Sequence, residues 1–573
     1  MSEVYDVCII GSGAGGGFAA ASLAKSGAKV LLLEAGPRFT PSDYPAHDPQ
    51  FELKTTPFVG ATNAAAQRSW TPGPPESLSP DFPELRSDSP SAYAAPSPTH
   101  RHAFSYSHVH GLGGTTLHYQ GEAHRFPPHA FRMREKHGVA SDWPIDYGTL
   151  APYYAQAEQA LRVAGDPGNP FKAARDAFPS TAHPAGKMGR FVAQGASRLG
   201  WQSLPNTLAI LKAAAPNREA CHYCNGCIRG CAVGAKSSVD VAVIPAALAT
   251  GNLVLKTQQR VLRLEHGSDG RIKSVIAVDL AAAEASDRAS NGSVTGAREI
   301  RYEARSFILA TGAIETPRLM LASAGGAHPR GVGNGNDLVG RGLMETLYVY
   351  RFGTAEESLE SHVGVPIESR IWDFNGSAAA KESGVPNGFA LGQMAGFFEG
   401  PVGTALEGAE GFGRAHREQL RARFGYGTTL IAIAEQLPRA ENRVVLSDEM
   451  GPQGTPLARI DATLNDQDLK TVRAMHRRVV ELEDAAGLTY KGQSTAYDTP
   501  SATHVGGTCP MGLASDHSVV DAEGFVWGAP NLAIADASVL VTQGAGDSPS
   551  LTIQALALRT ADALRRRASG AEL

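Results

Sequence analysis

Hydrophobic and polar positions change period twice within the first fifty residues. Val4–Ile10 is a short apolar run rich in β-formers, Gly11–Gly17 is a glycine loop, and Phe18–Lys25 is alanine-rich with helical spacing. A second apolar run, Lys29–Leu33, ends in Glu34, eighteen residues beyond Gly16, so strand, turn, helix and strand read as the βαβ start of a parallel sheet. Further along, the spacing predicts helices over Tyr147–Val163, Pro317–Ala324, Asp466–Ala486 and Thr552–Arg567. Pro317 suits a first helical position, where its missing N–H has no partner to lose. Strand-like runs fall at Val275–Leu280, Arg305–Ala310, Leu347–Phe352 and Thr429–Ile433. Eight prolines between Trp70 and Thr99 exclude a helix or a central strand there and predict a surface insertion or lid, and Ala281–Ala297 reads as a variable hairpin or loop. No repeat of fixed period is apparent, and the pattern as a whole is an α/β nucleotide-binding core interrupted by a second region of strands and helices.

Composition narrows the partners. Of 573 residues, 42% are hydrophobic and 19% charged, enough for large buried cores and too little charge for a disordered or coiled-coil chain. The 52 basic and 57 acidic side chains leave a net charge of −5, which gives no electrostatic reason to expect nucleic acid or an anionic membrane surface. No apolar run reaches the ~18 residues a membrane helix needs, and no basic segment followed by an apolar stretch marks a signal peptide. The 63 glycines are an excess over the usual ~7%, as expected where backbone must approach a large cofactor closely.

The glycine loop carries the first chemistry. Gly11, Gly13 and Gly16 form G-x-G-x-x-G between a strand and a helix. Gly11 permits the tight turn, Gly13 lets backbone approach a pyrophosphate, Gly16 allows close helix packing, and the helix N-terminus at Ala14 presents N–H groups to the negative charge. Glu34 is placed to accept hydrogen bonds from ribose hydroxyls. The motif alone leaves NAD and FAD open.

HGLGGTTLHYQG at 110–121, LATGAIETPRLML at 309–321, THVGGTCPMG at 503–512 and NLAIADASVLVT at 531–542 together resemble the glucose-methanol-choline (GMC) family of FAD oxidoreductases, in the family's order and over nearly the whole chain. The resemblance implies FAD, with Gly113, Gly114, Thr115 and Thr116 against the flavin and its phosphates, His118 close to the ring, Val261 near the adenine, and Asp536 and Ala537 near the pyrophosphate and ribitol. It implies that His504 is the catalytic base. Alcohol oxidation needs a group that removes the O–H proton as hydride leaves the carbinol carbon, and a neutral imidazole suits that task near pH 7. The family's usual partner for that histidine is a second His or an Asn; here Ser548 stands in the matching stretch, with Asp547 one residue earlier as the alternative. A serine hydroxyl can hold a substrate oxygen but is no base at neutral pH. Glu345-Thr346, where the family commonly shows Asp-His, is a second departure.

Cys221, Cys224, Cys227 and Cys231 have C-x2-C-x2-C-x3-C spacing, similar to the runs that hold iron–sulfur clusters. Iron–sulfur-containing GMC sugar dehydrogenase subunits show C-x5-C-x3-C here, matched by Cys221, Cys227 and Cys231, so 3Fe-4S and 4Fe-4S occupancy both remain open. Structural zinc, two disulfides, or reduced thiols without metal are the alternatives. Cys8 and Cys509 are expected to be packing residues.

These readings predict an FAD-binding Rossmann-like core, 1–145, 230–325 and 500–573, with an interleaved α+β substrate domain on an antiparallel sheet, 146–229 and 326–499, and the cysteine loop 221–231 at the boundary. The expected function is FAD-dependent oxidation of a sugar or related small alcohol, with electrons leaving through the cluster to a cytochrome-type acceptor and a small companion subunit. The alternatives are an oxidase that uses oxygen without a cluster, and a flavin-binding subunit with little activity. Without a signal of its own, the chain is expected in the cytoplasm, or in the periplasm by export with its companion.

Overall fold

The two apolar runs near the N-terminus become adjacent parallel strands, buried along almost their whole length because both faces of the sheet are covered. The structure, a computed structural model, describes residues 4–40, 43–44, 105–106, 109–282, 298–376, 383–395, 405, 411–451, 453–494, 501–502 and 504–570. The proline-rich insertion and most of Ala281–Ala297 lie outside these residues.

The first unit is built, in chain order, from β1 (Tyr5–Ile10), α1 (Ala14–Lys25), β2 (Val30–Leu33), β3 (Leu253–Lys256), β4 (Gln259–His266), β5 (Ile272–Asp279), β6 (Glu299–Leu309), α2 (Gly312–Ala322), β7 (Leu532–Ile534) and α3 (Ser550–Ala568). Strands β3, β2, β1, β6 and β7 are neighbours in that order and pair in parallel, while β4, β5 and the first half of β6 form an antiparallel meander on the same sheet. Register aligns Ile10 with Leu33 and Leu309, and Leu309 with Ile534. The segments beginning at Gly11, Glu34, Ala310 and Ala535 therefore leave the sheet along one edge, the carboxyl edge, where open parallel sheets bind ligands.

A second sheet is antiparallel throughout, with Thr489–Ser494, Thr346–Thr354, Gly427–Glu435, Ala390–Ala395, Ser369–Ile371 and Ser203–Pro205 as successive neighbours. Alternation divides its faces. Leu347, Val349, Leu430, Ala432 and Leu391 pack against helix Asp466–Ala486, whereas Tyr348, Tyr350, Ile431, Ile433 and Met394 form a cluster on the opposite face. The helix has the bounds its periodicity predicts, closed at its start by a reciprocal capping box between Asn465 and Asp468 and at its end by Gly487 with positive φ. Helix Tyr147–Leu161 buries Leu150, Tyr154 and Leu161 in the core of the first unit.

One expectation changes. The helix assigned to start at Pro317 starts at Gly312, with the proline inside it. Proline there removes the hydrogen bond to the carbonyl four residues back, that of Ala313. The hydroxyl of Thr508 donates to that carbonyl at 2.9 Å instead, so the helix tolerates its proline through a group far away in sequence.

The glycine loop is fixed by contacts no side chain would permit. A Cβ on Gly15 would lie 1.6 Å from the carbonyl oxygen of Ala535. Gly15→Ala is expected to destabilise the protein by about 1–3 kcal/mol, as overpacked sites do, seen as a lower unfolding temperature in the cofactor-free protein.

Candidate active site

At the carboxyl edge, Glu34 organises the loops around it. Its carboxylate accepts from the Ser12 amide at 3.0 Å, the Ser12 hydroxyl at 2.6 Å and the Gly36 amide at 2.8 Å. Ser12 Oγ in turn accepts from the Gly113 amide at 3.0 Å, which draws the 113–116 turn onto the glycine loop. Burial raises the Glu34 pKa, opposed by these hydrogen bonds. Gly113 and Gly114 both have positive φ, and a Cβ on Gly114 would stand 2.9 Å from Gly13 Cα, so glycine is required where the two turns meet.

Two places along this edge are open. Helix α1 starts without a side-chain cap among the described residues, and nothing lies within 4 Å of where a Cβ of Gly13 or, at the start of α2, of Gly312 would be. The uncapped N-terminus of α1 beside open backbone fits the pyrophosphate of a dinucleotide. Asp536 closes the edge: its carboxylate accepts from the Gly312 amide, the Thr316 hydroxyl, and the amide and hydroxyl of Ser538. Ala537 and Val261 are buried nearby in the same unit, Thr115 is exposed, and His118 ends the 113–118 turn half-buried. The Thr116 hydroxyl is engaged within the protein, donating to Gly113 and accepting from the Val239 amide.

His504 stands where the second sheet meets this edge. Its Nδ1 lies 3.0 Å from Tyr348 Oη and 3.2 Å from Thr346 Oγ1, while its Nε2 has no partner among the described residues. The loop holding it is pinned by paired backbone bonds between Gly506 and Met344 and by the Gln543 side chain on the His504 carbonyl. Tyr348 is stacked on Tyr350, with ring centroids 5.2 Å apart. Burial lowers the His504 pKa to about 4, with Glu122 acting upward and Arg370 and His124 downward.

Ser548 belongs to a buried polar network rather than to an isolated pair with His504. Its hydroxyl donates to Glu122 Oε2 at 2.7 Å and its amide to His124 Nδ1 at 3.2 Å. Glu122 also accepts two bonds from Arg370, each 2.8 Å, and one from Asn206. Burial would raise the Glu122 carboxyl, but Arg370, His124 and the Asn206 and Ser548 bonds together hold it well below the usual carboxylate range. The Asp547 carboxylate is engaged by Lys172, His124 and the Trp372 indole.

Two sequence profiles described as GMC oxidoreductase match residues 103–346 and 438–557, and one described as an NAD(P)-binding Rossmann-like domain matches 9–68. The chain is 30% identical to 2-methyl-1,2-propanediol dehydrogenase of Mycolicibacterium austroafricanum, over 99% of this chain and 96% of that protein. It belongs to the GMC oxidoreductase family. The fructose dehydrogenase large subunit of Gluconobacter japonicus is 29% identical over 98% of this chain and 97% of its own length. Paromamine 6'-oxidase of Streptomyces fradiae is 30% identical over 98% of this chain and 91% of its own. The GMC relatives thus include both dehydrogenases and an oxidase.

In this GMC chain the cysteine loop sits beside the 113–119 segment. All six cysteines are free, Cys8, Cys227 and Cys509 being buried and the others half-buried. The four clustered thiols lie within electrostatic reach of one another, and burial raises the pKa of Cys221 to about 11 and those of Cys224 and Cys227 as well. Backbone amides donate to Cys221 Sγ at 3.3 Å and to Cys231 Sγ at 3.4 Å. As they stand, no three His, Cys, Asp or Glu side chains among the described residues form a group able to hold a metal ion. Lys236, buried below the loop, donates to the carbonyls of Leu117, Tyr119 and Cys227 and ties the loop to the 113–119 segment.

Sequence reasoning missed Tyr348, Glu122 and Arg370, and noted Thr346 only as a departure from the GMC pattern. Period-2 alternation in Thr346–Thr354 was the available signal for Thr346 and Tyr348, since both fall on the face opposite Leu347. Gly13→Ala puts a methyl into open space, so folding should change by about 1 kcal/mol or less while flavin binding is lost; flavin absorbance per mole of purified protein checks this.

Proposed function

We propose that this chain is an FAD-dependent dehydrogenase that oxidises a hydroxyl group of a sugar or related neutral alcohol, with His504 as the base. The observation that carries the reading is His504 itself: a neutral imidazole beside the dinucleotide edge, one nitrogen held and the other without a partner among the described residues. When bound, FAD supplies the hydride acceptor.

The chain's own residues do the rest. In the tautomer with hydrogen on Nδ1, that N–H donates to Thr346 or Tyr348 and leaves the Nε2 lone pair for the substrate hydroxyl proton. The Tyr348–Tyr350 stack fixes the Tyr348 hydroxyl and so the plane of the ring. Ser548, its proton committed to Glu122, has lone pairs left and acts as an acceptor, not as a second base. Gly13, Ala14, Gly114 and the α1 N-terminus would hold the pyrophosphate, with Glu34, His118, Val261, Asp536 and Ala537 in the contacts the family motif implies.

The finer part of the proposal is electron exit through an iron–sulfur cluster on Cys221, Cys224, Cys227 and Cys231 to a cytochrome-type acceptor. Its support is the spacing, the mutual proximity of the thiols, the two N–H···S bonds, and a relative named as a large subunit, which favours a companion chain. Among the described residues the thiols as arranged do not form a ligand set, so a bound cluster would have to draw them together. The oxidase relative favours a second reading, direct use of oxygen. Iron and acid-labile sulfide per flavin on anaerobically purified protein separate the two: about three or four irons support the cluster, and flavin without iron, with peroxide formed in step with substrate, supports the oxidase.

His504→Ala is expected to lower kcat by about 10²–10⁴-fold with flavin retained; wild-type turnover in that variant would reduce the chain to a flavin-binding subunit. Because only neutral His504 accepts the proton and its pKa is lowered to about 4, kcat/KM should hold as pH drops below neutrality and fall only as pH passes through that value. An acid limb at the ordinary histidine value of about 6.5 would contradict this.

A further inference from the structure

The face of the antiparallel sheet that carries Tyr348 also carries a buried side chain with a donor to spare. Arg370 lies in strand Ser369–Ile371 and is fully buried. Its Nε and Nη2 are bound to Glu122, so its charge is matched. Its Nη1, also buried, has no hydrogen-bond partner among the described residues. An unmet buried donor costs about 1–3 kcal/mol, and a bound ligand can supply the acceptor that the protein does not.

Sheet register gives the direction of that group. Tyr350 pairs with Ile431, Ile431 with Gly392, and Gly392 with Arg370, making one row across four strands. A Cβ on Gly392 would stand 3.1 Å from Arg370 Cδ and 3.2 Å from Nη1. The guanidinium end therefore lies over the Gly392 strand, on the sheet face that also carries Tyr350 and Tyr348, where Tyr348 meets His504. Arg370 is also among the groups whose charge is felt at the His504 ring.

Chemistry narrows the ligand. A carboxylate or phosphate at Nη1 would bring an unmatched negative charge into a buried place where Glu122 already balances the guanidinium. A neutral oxygen takes the hydrogen bond without that cost. We propose that Arg370 is a substrate-binding residue whose Nη1 donates to a hydroxyl on the carbon next to the one oxidised, selecting vicinal diols, polyols and sugars over monohydric alcohols and hydroxy acids. The inference rests on the alcohol-oxidising reading above and adds the substrate class to it.

The test uses the full-length, FAD-loaded chain with a dye acceptor. Vicinal diols, polyols and sugars are each paired with the analogue in which hydrogen replaces the neighbouring hydroxyl. In the wild type, each oxidised compound should exceed its analogue in kcat/KM by about tenfold or more, the loss expected when a buried donor is left unmet. In Gly392→Ala, whose methyl group crowds Nη1, the ratio should fall toward one. Arg370→Lys, which keeps a cation opposite Glu122 and removes Nη1, should lower it in the same way and serves if the first variant does not fold. A wild-type ratio near one, or a ratio undiminished in the folded variants, overturns the role of Arg370 while leaving alcohol oxidation standing. Turnover of no compound by flavin-loaded protein overturns the alcohol-oxidising reading and the inference with it.

Discussion

Glu122 and Arg370 come from different units of the molecule, and their ion pair is where those units meet. Glu122 follows the turn that closes over the glycine loop, Arg370 belongs to the antiparallel sheet, and Asn206 and Ser548 bring two further segments to the same carboxylate. All four residues are buried. A paired charge out of water gains little over apolar packing, but losing one partner of such a pair costs about 3–5 kcal/mol because the other is stranded. The pair is thus a registration device. Together with the Gly506–Met344 backbone pair it favours one relative placement of the dinucleotide edge and the sheet bearing Tyr348, beside which His504 stands.

What could be read from the chain and what could not divide along a physical line. The βαβ start and Asp466–Ala486 were legible because local forces decide them: apolar period, glycine loop, capping box and terminal glycine all lie within a few residues of the element they shape. His504 was singled out by its motif, and the structure sets it where the second sheet meets the carboxyl edge. The start of α2 was not, because the carbonyl that Pro317 leaves unbonded is satisfied by Thr508, and no local rule anticipates a remote donor. Arg370 and Glu122 were invisible for the same reason: they are 248 residues apart, and neither sits in a pattern that announces an ion pair.

The cysteine loop shows how far spacing reaches. Four thiols were expected together and they are together, yet closeness alone does not make a ligand set. The contact that spacing did not suggest is Lys236, whose ammonium is buried among three carbonyls and appears in no ion pair among the described residues. It links Cys227 to the backbone on either side of His118, so the loop and the 113–119 segment share one buried ammonium.

Thr508 carries a positive φ, a conformation costly for a β-branched residue, in the loop that begins with His504. Its hydroxyl completes a helix whose first amide binds Asp536. Any residue but proline at position 317 would restore an amide that shares the Ala313 carbonyl with the Thr508 hydroxyl. Positions 317 and 508 therefore form one unit of variation: among diverging descendants of this chain, a change at either is tolerated most readily when the other changes with it.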